Sequence, residues 1–154
     1  MKRKKKLDII ATMLTIVLLI LIGVNISLLS NKLLAPVYAN NKVKKMKEKQ
    51  RMQYYFSKYI TYIEEKNYEK AYNLLYEEYR NNYFPTLEEF EKYVKQKYPD
   101  FMSVEYNDMS RQGEYYILTV NIYNLLTNEI IEKEQKYIIK ENNFLDYVLS
   151  FQVR

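Results

Sequence analysis

The chain contains no cysteine, no histidine and no tryptophan, and only two glycines and three prolines in 154 residues. Without cysteine it forms no disulfide and no thiolate metal site, and without histidine it lacks the commonest general base and transition-metal ligand. Its glycines, Gly23 in an apolar run and Gly113 in a predicted turn, cannot form a glycine-rich phosphate loop. We therefore expect no cofactor, no metal and no catalytic residue.

Charged residues are also missing from Ile9 to Leu29, directly after the basic cluster at positions 2–6. As a helix, this segment would span about 31 Å, the thickness of the hydrocarbon core of a bilayer. The sequence thus predicts a transmembrane helix over residues 9–30, with the lipid bilayer as its partner.

The positive charges indicate the orientation of this helix. Five lysines and arginines lie directly before it, whereas only Lys32 follows it until Lys42. The positive-inside rule then predicts a cytoplasmic tail at residues 1–8 and a single-pass membrane protein with its C-terminal domain outside the cell. The alternative is a signal peptide cleaved near Ala39, which would release a secreted protein.

The charge is divided unevenly along the chain. Residues 1–51 contain twelve lysines and arginines against two acids, a net charge of +10, whereas residues 52–154 contain twelve against seventeen, a net charge of −5. The basic part includes a juxtamembrane linker and helix start at 31–51, which can contact anionic lipid headgroups. The domain at 52–154 is acidic, which argues against nucleic acid as its partner.

Apolar residues recur at helical spacing over three segments of the outer domain. The first runs from about Val43 to Lys66, and the second begins after Asn67 and ends near Asn82. The third begins at the capping box from Thr86 to Glu89 and ends before Pro99. These patterns predict three helices.

After Pro99 the apolar period changes from 3.6 to 2, which is typical of strands. Four such segments follow, separated by turns near Gly113, at 124–128 and at 141–143, and the last alternates from Leu145 to Val153. Three helices packed on one face of a four-stranded antiparallel sheet give an α+β domain.

Three stretches resemble the nuclear transport factor 2-like (SnoaL-like) superfamily. Tyr59–Leu75 is similar to its second-helix signature, Phe84–Tyr93 to the opening of its third helix, and Tyr137–Tyr147 to its final hairpin. The resemblance covers about 52–153 and implies a cone-like fold, as in the membrane-anchored extracytoplasmic members of low-GC Gram-positive bacteria. The superfamily includes enzymes, binding modules and assembly factors of secretion and conjugation systems, so it implies no single function.

The eighteen tyrosines suggest a candidate pocket. An apolar or carbohydrate ligand could lie between helices and sheet, although tyrosine at helical spacing is more often core. The candidate lining is Tyr59, Tyr72, Tyr79, Tyr93 and Tyr116.

An isomerase- or dehydratase-like activity of the kind found in this superfamily would have Asp146 as its only candidate base. Alternation places Asp146 opposite the apolar face of the last strand. The family's enzyme motifs are not matched, and a solvated strand residue explains Asp146 equally well.

The leading hypothesis is a non-enzymatic, single-span membrane protein whose outer domain docks onto a protein partner or onto itself, within an envelope complex such as a secretion or conjugation system. Its candidate interface is the open face of the sheet, with Tyr115, Ile117, Ile130 and Ile138. A small-molecule or cell-wall-polymer binding module is the alternative.

Overall fold

The computed structural model describes residues 42–143 and 145–153, and the chain divides into two units, Met1–Lys45 and Met46–Arg154. The predicted transmembrane segment 9–30 and the cleavage site near Ala39 lie outside the described residues. Within the described part, no helix is long and apolar enough to cross a bilayer. The first unit is described only over residues 42–45, which begin with a helical turn at 42–44.

In the second unit, the described residues form four helices: α1 (Glu48–Glu64), α2 (Tyr68–Asn73), α3 (Glu77–Tyr83) and α4 (Leu87–Lys97). Helix α1 buries one face, as its apolar spacing predicts. That face consists of Met52, Tyr55, Phe56, Tyr59, Ile60 and Ile63.

The second predicted helix is in fact two helices. The chain leaves helical geometry between α2 and α3, where Leu75 forms a parallel bridge with Leu149. Backbone hydrogen bonds join Tyr76 N to Leu149 O at 2.8 Å and Leu149 N to Leu74 O at 2.7 Å. The edge of the sheet thus supplies backbone partners that a continuous helix would have supplied locally. The prediction of three helices was wrong in this respect.

Helix α4 begins and ends where the sequence predicts. The Thr86 side chain accepts a hydrogen bond from Glu89 N, and the Glu89 carboxylate accepts one from Thr86 N, each at 3.2 Å. This reciprocal capping box satisfies two N–H groups that the helix itself cannot. Tyr98 is already extended, because the residue before a proline is disfavoured in the helical region.

Four antiparallel strands follow in the order β1–β2–β3–β4: β1 (Met102–Gln112), β2 (Tyr115–Asn124), β3 (Ile130–Asn143) and β4 (Asp146–Phe151). The β1–β2 turn contains Gly113 at φ 61°, a conformation that glycine adopts without strain. The α+β class and the four-stranded antiparallel meander are confirmed. Strands β1 and β3 are longer than predicted, and a bulge at residue 107 interrupts the first ladder.

One face of the sheet packs under the helices and forms the core with them. On this face β2 places Tyr116, Leu118, Val120 and Ile122, and β4 places Tyr147, Leu149 and Phe151. The side chains between them point to the opposite face, which we call the open face because no described element covers it.

Candidate functional site

Three of the five candidate pocket tyrosines lie around a single phenylalanine. The ring centroid of Phe151 is 6.3 Å from that of Tyr59, 5.2 Å from Tyr79 and 6.2 Å from Tyr93. Phe151 is only 5% exposed, and Tyr137 also contacts it at 5.3 Å. An aromatic side chain therefore fills the space between these tyrosines.

The other two candidate tyrosines lie elsewhere. The Tyr72 hydroxyl donates to Phe84 O at 2.9 Å, and its ring packs on Phe90 with 5.6 Å between centroids. The Tyr116 hydroxyl donates to the Glu48 carboxylate at 2.6 Å, where α1 begins. The five tyrosines thus do not line one shared cavity in this structure.

Clefts in the described part of the chain lie at its surface instead. One of about 370 Å³ is lined by residues including Tyr68, Val94 and Asp100. A polar cleft of about 460 Å³ is bordered by the β1–β2 and β3–β4 turns, and a third of about 720 Å³ lies beside the end of α4. Tyr59, Tyr79 and Tyr93 line none of these three.

A buried polar group, which we call the Lys97 cluster, consists of Lys97, Glu132, Tyr93, Tyr98 and Tyr137. Lys97 and Glu132 form an ion pair, with side chains 17% and 5% exposed. The Lys97 ammonium also donates to the Tyr93 hydroxyl at 2.8 Å and lies 5.2 Å from the Tyr93 ring centroid and 5.9 Å from that of Tyr98. The Tyr98 and Tyr137 hydroxyls are 3.1 Å apart. A charged pair is thus enclosed by aromatic rings, an arrangement that favours cation–π contact.

The electrostatics of this cluster keep its ammonium charged and its phenols neutral. Burial lowers the pKa of Lys97, but the bonds to Glu132 and Tyr93 raise it by more, so the pKa lies above its ordinary value. Burial raises the pKa of Tyr98 and of Tyr137 well above the usual range. In these protonation states Lys97 donates to Tyr93, and one of the Tyr98 and Tyr137 phenols donates to the other.

The sequence pattern does not predict this cluster, for a structural reason. Counting back by twos from the buried Ile139 and Tyr137 places Lys133 toward the core, not Glu132. Glu134 has a φ of 50°, and the β2–β3 register shifts between Val120 and Ile122. This bulge brings Glu132 to the buried face, opposite Ile122. The available signal was the polar run at 132–136 between the apolar residues 130–131 and 137–139.

On the open face, three of the four candidate interface residues lie together. Ile117 pairs directly with Ile138, and Tyr115 pairs with Lys140, which in turn pairs with Val148. Tyr115 is 44% exposed and Ile138 39%. We call Tyr115, Ile117, Ile138 and Val148 the sheet-face patch.

The fourth candidate, Ile130, lies at the opposite end of the sheet, where it pairs with Tyr123. It is 52% exposed and lies at the same end as Phe101, Leu125 and Leu126, which are 55%, 54% and 76% exposed. We call these four residues the tip patch. Leu125 and Leu126, two apolar residues in a predicted loop, were the feature of the sequence that indicates this patch.

Asp146, the only candidate base named from the sequence, is exposed at the start of β4. Among the described residues, no group of three or more acids could hold a metal ion.

No family model, curated protein or solved structure matches this chain. The likeness to the nuclear transport factor 2-like superfamily therefore stays a prediction.

Proposed function

We propose that residues 46–154 form a non-enzymatic protein-docking domain, held at the outer side of a cell membrane by a single helix over residues 9–30. In this proposal the domain belongs to the nuclear transport factor 2-like superfamily and has its cone-like form. The sheet-face patch is the observation that carries the docking function.

The composition of the patch supports docking. Ile117 and Ile138 lie side by side on adjacent strands, and Tyr115 and Val148 extend the apolar surface to the neighbouring row. Single exposed apolar residues are ordinary, whereas a contiguous set on an uncovered face is typical of interaction sites. Lys140 lies between Tyr115 and Val148 in that row, where its ammonium is 5.6 Å from the Tyr115 ring centroid and pairs with Glu114 at 3.3 Å. The charged group within the patch is therefore already paired inside the domain.

The packing of the interior supports docking over the small-ligand alternative. Phe151 fills the space between Tyr59, Tyr79 and Tyr93, so a ligand there would have to displace a buried ring. Removing a buried aromatic ring from a core costs about 3–5 kcal/mol. The contacts of a wall polymer or apolar ligand would have to offset that loss of stability before net binding could occur.

Photocrosslinking in intact cells tests the docking proposal. A photoreactive amino acid at Ile138 should form adducts with one or a few proteins, because Ile138 lies at the centre of the patch. The matched control is the same group at Tyr83, which is 56% exposed on α3 and distant from the patch in the chain. Uncrosslinked chain at both positions, or identical adducts from both, would contradict docking through this face.

A further inference from the structure

The loop between β2 and β3 is held in one conformation by its own hydrogen bonds. The Asn124 side-chain oxygen accepts from Leu126 N at 2.9 Å and from Thr127 N at 3.3 Å. Backbone bonds of 2.9 Å join Asn128 N to Asn124 O and Asn124 N to Glu129 O. The loop therefore loses little conformational freedom when it binds, which favours affinity.

This loop presents apolar side chains to solvent. Leu126 is 76% exposed, and Leu125 N donates to Phe101 O at 3.1 Å, which fixes the loop against the start of β1. The loop contains one charged residue, Glu129, and no lysine or arginine. An interfacial membrane-binding loop typically combines apolar residues with basic ones, so this charge pattern does not favour lipid.

A shallow, wide-open surface cleft, which we call the groove, adjoins the tip patch. The cleft of about 720 Å³ lies between the end of α4 and the start of β3, and Ile130 belongs to both the groove and the tip patch. Its lining is Gln96, Lys97, Tyr98, Pro99, Asn124, Glu129, Ile130 and Ile131. When two copies are related by a two-fold axis, the protruding loop of each copy can lie in the groove of the other.

Two ion pairs compensate charge at this end, whereas Glu129 of the loop is bonded to the neutral Thr127 hydroxyl and forms no ion pair among the described residues. Lys66 pairs with Asp100 at 3.1 Å, and Lys97 pairs with Glu132. Residues 52–154 have a net charge of −5, so copies of the domain repel one another through most of their surface. The two ion pairs lower the repulsion between copies at this end, since each pair has no net charge.

We propose that two copies of this chain associate through the tip patch, with the β2–β3 loop of each copy seated in the groove of the other. The four exposed side chains leave on the order of 400 Å² of apolar surface per copy, within the range of functional patches. Two patches and two groove walls together reach about 1,000 Å², the lower limit for a specific interface. The association is independent of the sheet-face patch, which stays available for another protein.

Energy transfer between labelled copies of the full chain in detergent tests this dimer. Because the chain has no cysteine, Tyr83→Cys supplies a single labelling site on α3. Donor- and acceptor-labelled chains should show concentration-dependent transfer. Leu126→Asp and Ile130→Asp, added separately, should each raise the dissociation constant at least tenfold, while Ile138→Asp leaves it unchanged.

Circular dichroism should show that all three variants keep the fold, since each replaced side chain is exposed. No transfer in the parent chain, or transfer that both tip variants leave intact, would overturn the dimer. Loss of transfer with Ile138→Asp alone would also overturn it and assign self-association to the sheet-face patch. Photocrosslinking at Ile138 tests the docking proposal and does not depend on whether the chain forms a dimer. Failure of the dimer is therefore distinguishable from failure of the docking proposal.

Discussion

At the scale of single residues, Glu141 joins the first helix to the last hairpin. Its carboxylate accepts two bonds from the Arg51 guanidinium, each 2.8 Å, and one of 2.5 Å from the Tyr55 hydroxyl. Tyr55 accepts in turn from Leu145 N at 3.1 Å, and its ring stacks on that of Tyr147 with 4.0 Å between centroids. Charge-assisted, bidentate bonds of this kind fix geometry more strongly than neutral ones.

Replacing this carboxylate tests its contribution. Glu141→Gln keeps the shape but leaves the Arg51 charge without its bidentate partner, and we expect the free energy of unfolding to fall by about 1–3 kcal/mol. Urea denaturation measures the change. In the control, Glu91→Gln removes an exposed pair with Lys95 and should change the free energy of unfolding much less, because solvent screens that pair. Equal losses in the two variants would contradict the role given to Glu141.

The same residue makes stability depend on acid. Burial raises the pKa of Glu141, but the bonds from Arg51 and Tyr55 lower it by more, so the pKa lies below its ordinary value. The stabilisation is therefore fully present above the unfolded-state pKa of about 4.3 and is lost as pH falls through the lowered folded-state value. The difference between the parent chain and Glu141→Gln should accordingly shrink below about pH 4.

At the scale of elements, local signals were sufficient only where a helix end is self-contained. Helix α4 has its capping box, and Asn67 caps α2 by accepting from Lys70 N at 3.4 Å. The segment between α2 and α3 instead takes its partners from β4, which is distant in sequence. The stability of a helix that is capped by a neighbouring side chain should therefore change when that one capping residue is replaced.

Thr86→Ala provides a test at this scale. The variant removes the side-chain acceptor for Glu89 N, and we expect a loss of about 1 kcal/mol in the free energy of unfolding. Thr61→Ala in the last turn of α1 is the matched control, since Thr61 is exposed, does not cap the start of a helix, and alanine is the better helix former. Thermal or urea unfolding of both variants gives the comparison, and a loss with Thr61→Ala as large as with Thr86→Ala would exclude a capping effect.

At the scale of the whole molecule, the folded unit has two distinct ends. The chain enters at Met46, near the turns of both outer hairpins, where Arg111 donates to Glu48 at 2.9 Å. Glu64, at the other end of α1, accepts from Met102 N at 2.8 Å, near the tip patch. Seventeen residues of α1 separate these ends by about 25 Å. The unit thus offers the sheet-face patch near its entry end and the tip patch at the other.

The proposed membrane topology belongs to this scale, and protease accessibility tests it. If residues 9–30 hold the domain outside the cell, protease added to intact cells should degrade it, and the extracted protein should retain the mass of the full chain. Protection until the cells are opened would contradict the topology. A product that begins at Asn40 would instead support the secreted alternative.

The sequence by itself determined the class of fold and the features with local causes. Helical spacing followed by alternation gave three helical regions and four strands, and the cap at Thr86 with the proline at 99 set the bounds of α4. These succeed because periodicity and capping depend on residues within about one turn or one strand. The open-face position of Tyr115, Ile117 and Ile138 follows from the same alternation.

Only the tertiary structure decided what depends on distant partners. Pairing with Leu149 divides the second helix, and the bulge at Glu134 turns Glu132 inward to meet Lys97. Phe151 comes from the last strand to fill the space among tyrosines from three helices. The physical reason is common to all three, because long-range packing and a one-residue change of register decide which side chains meet.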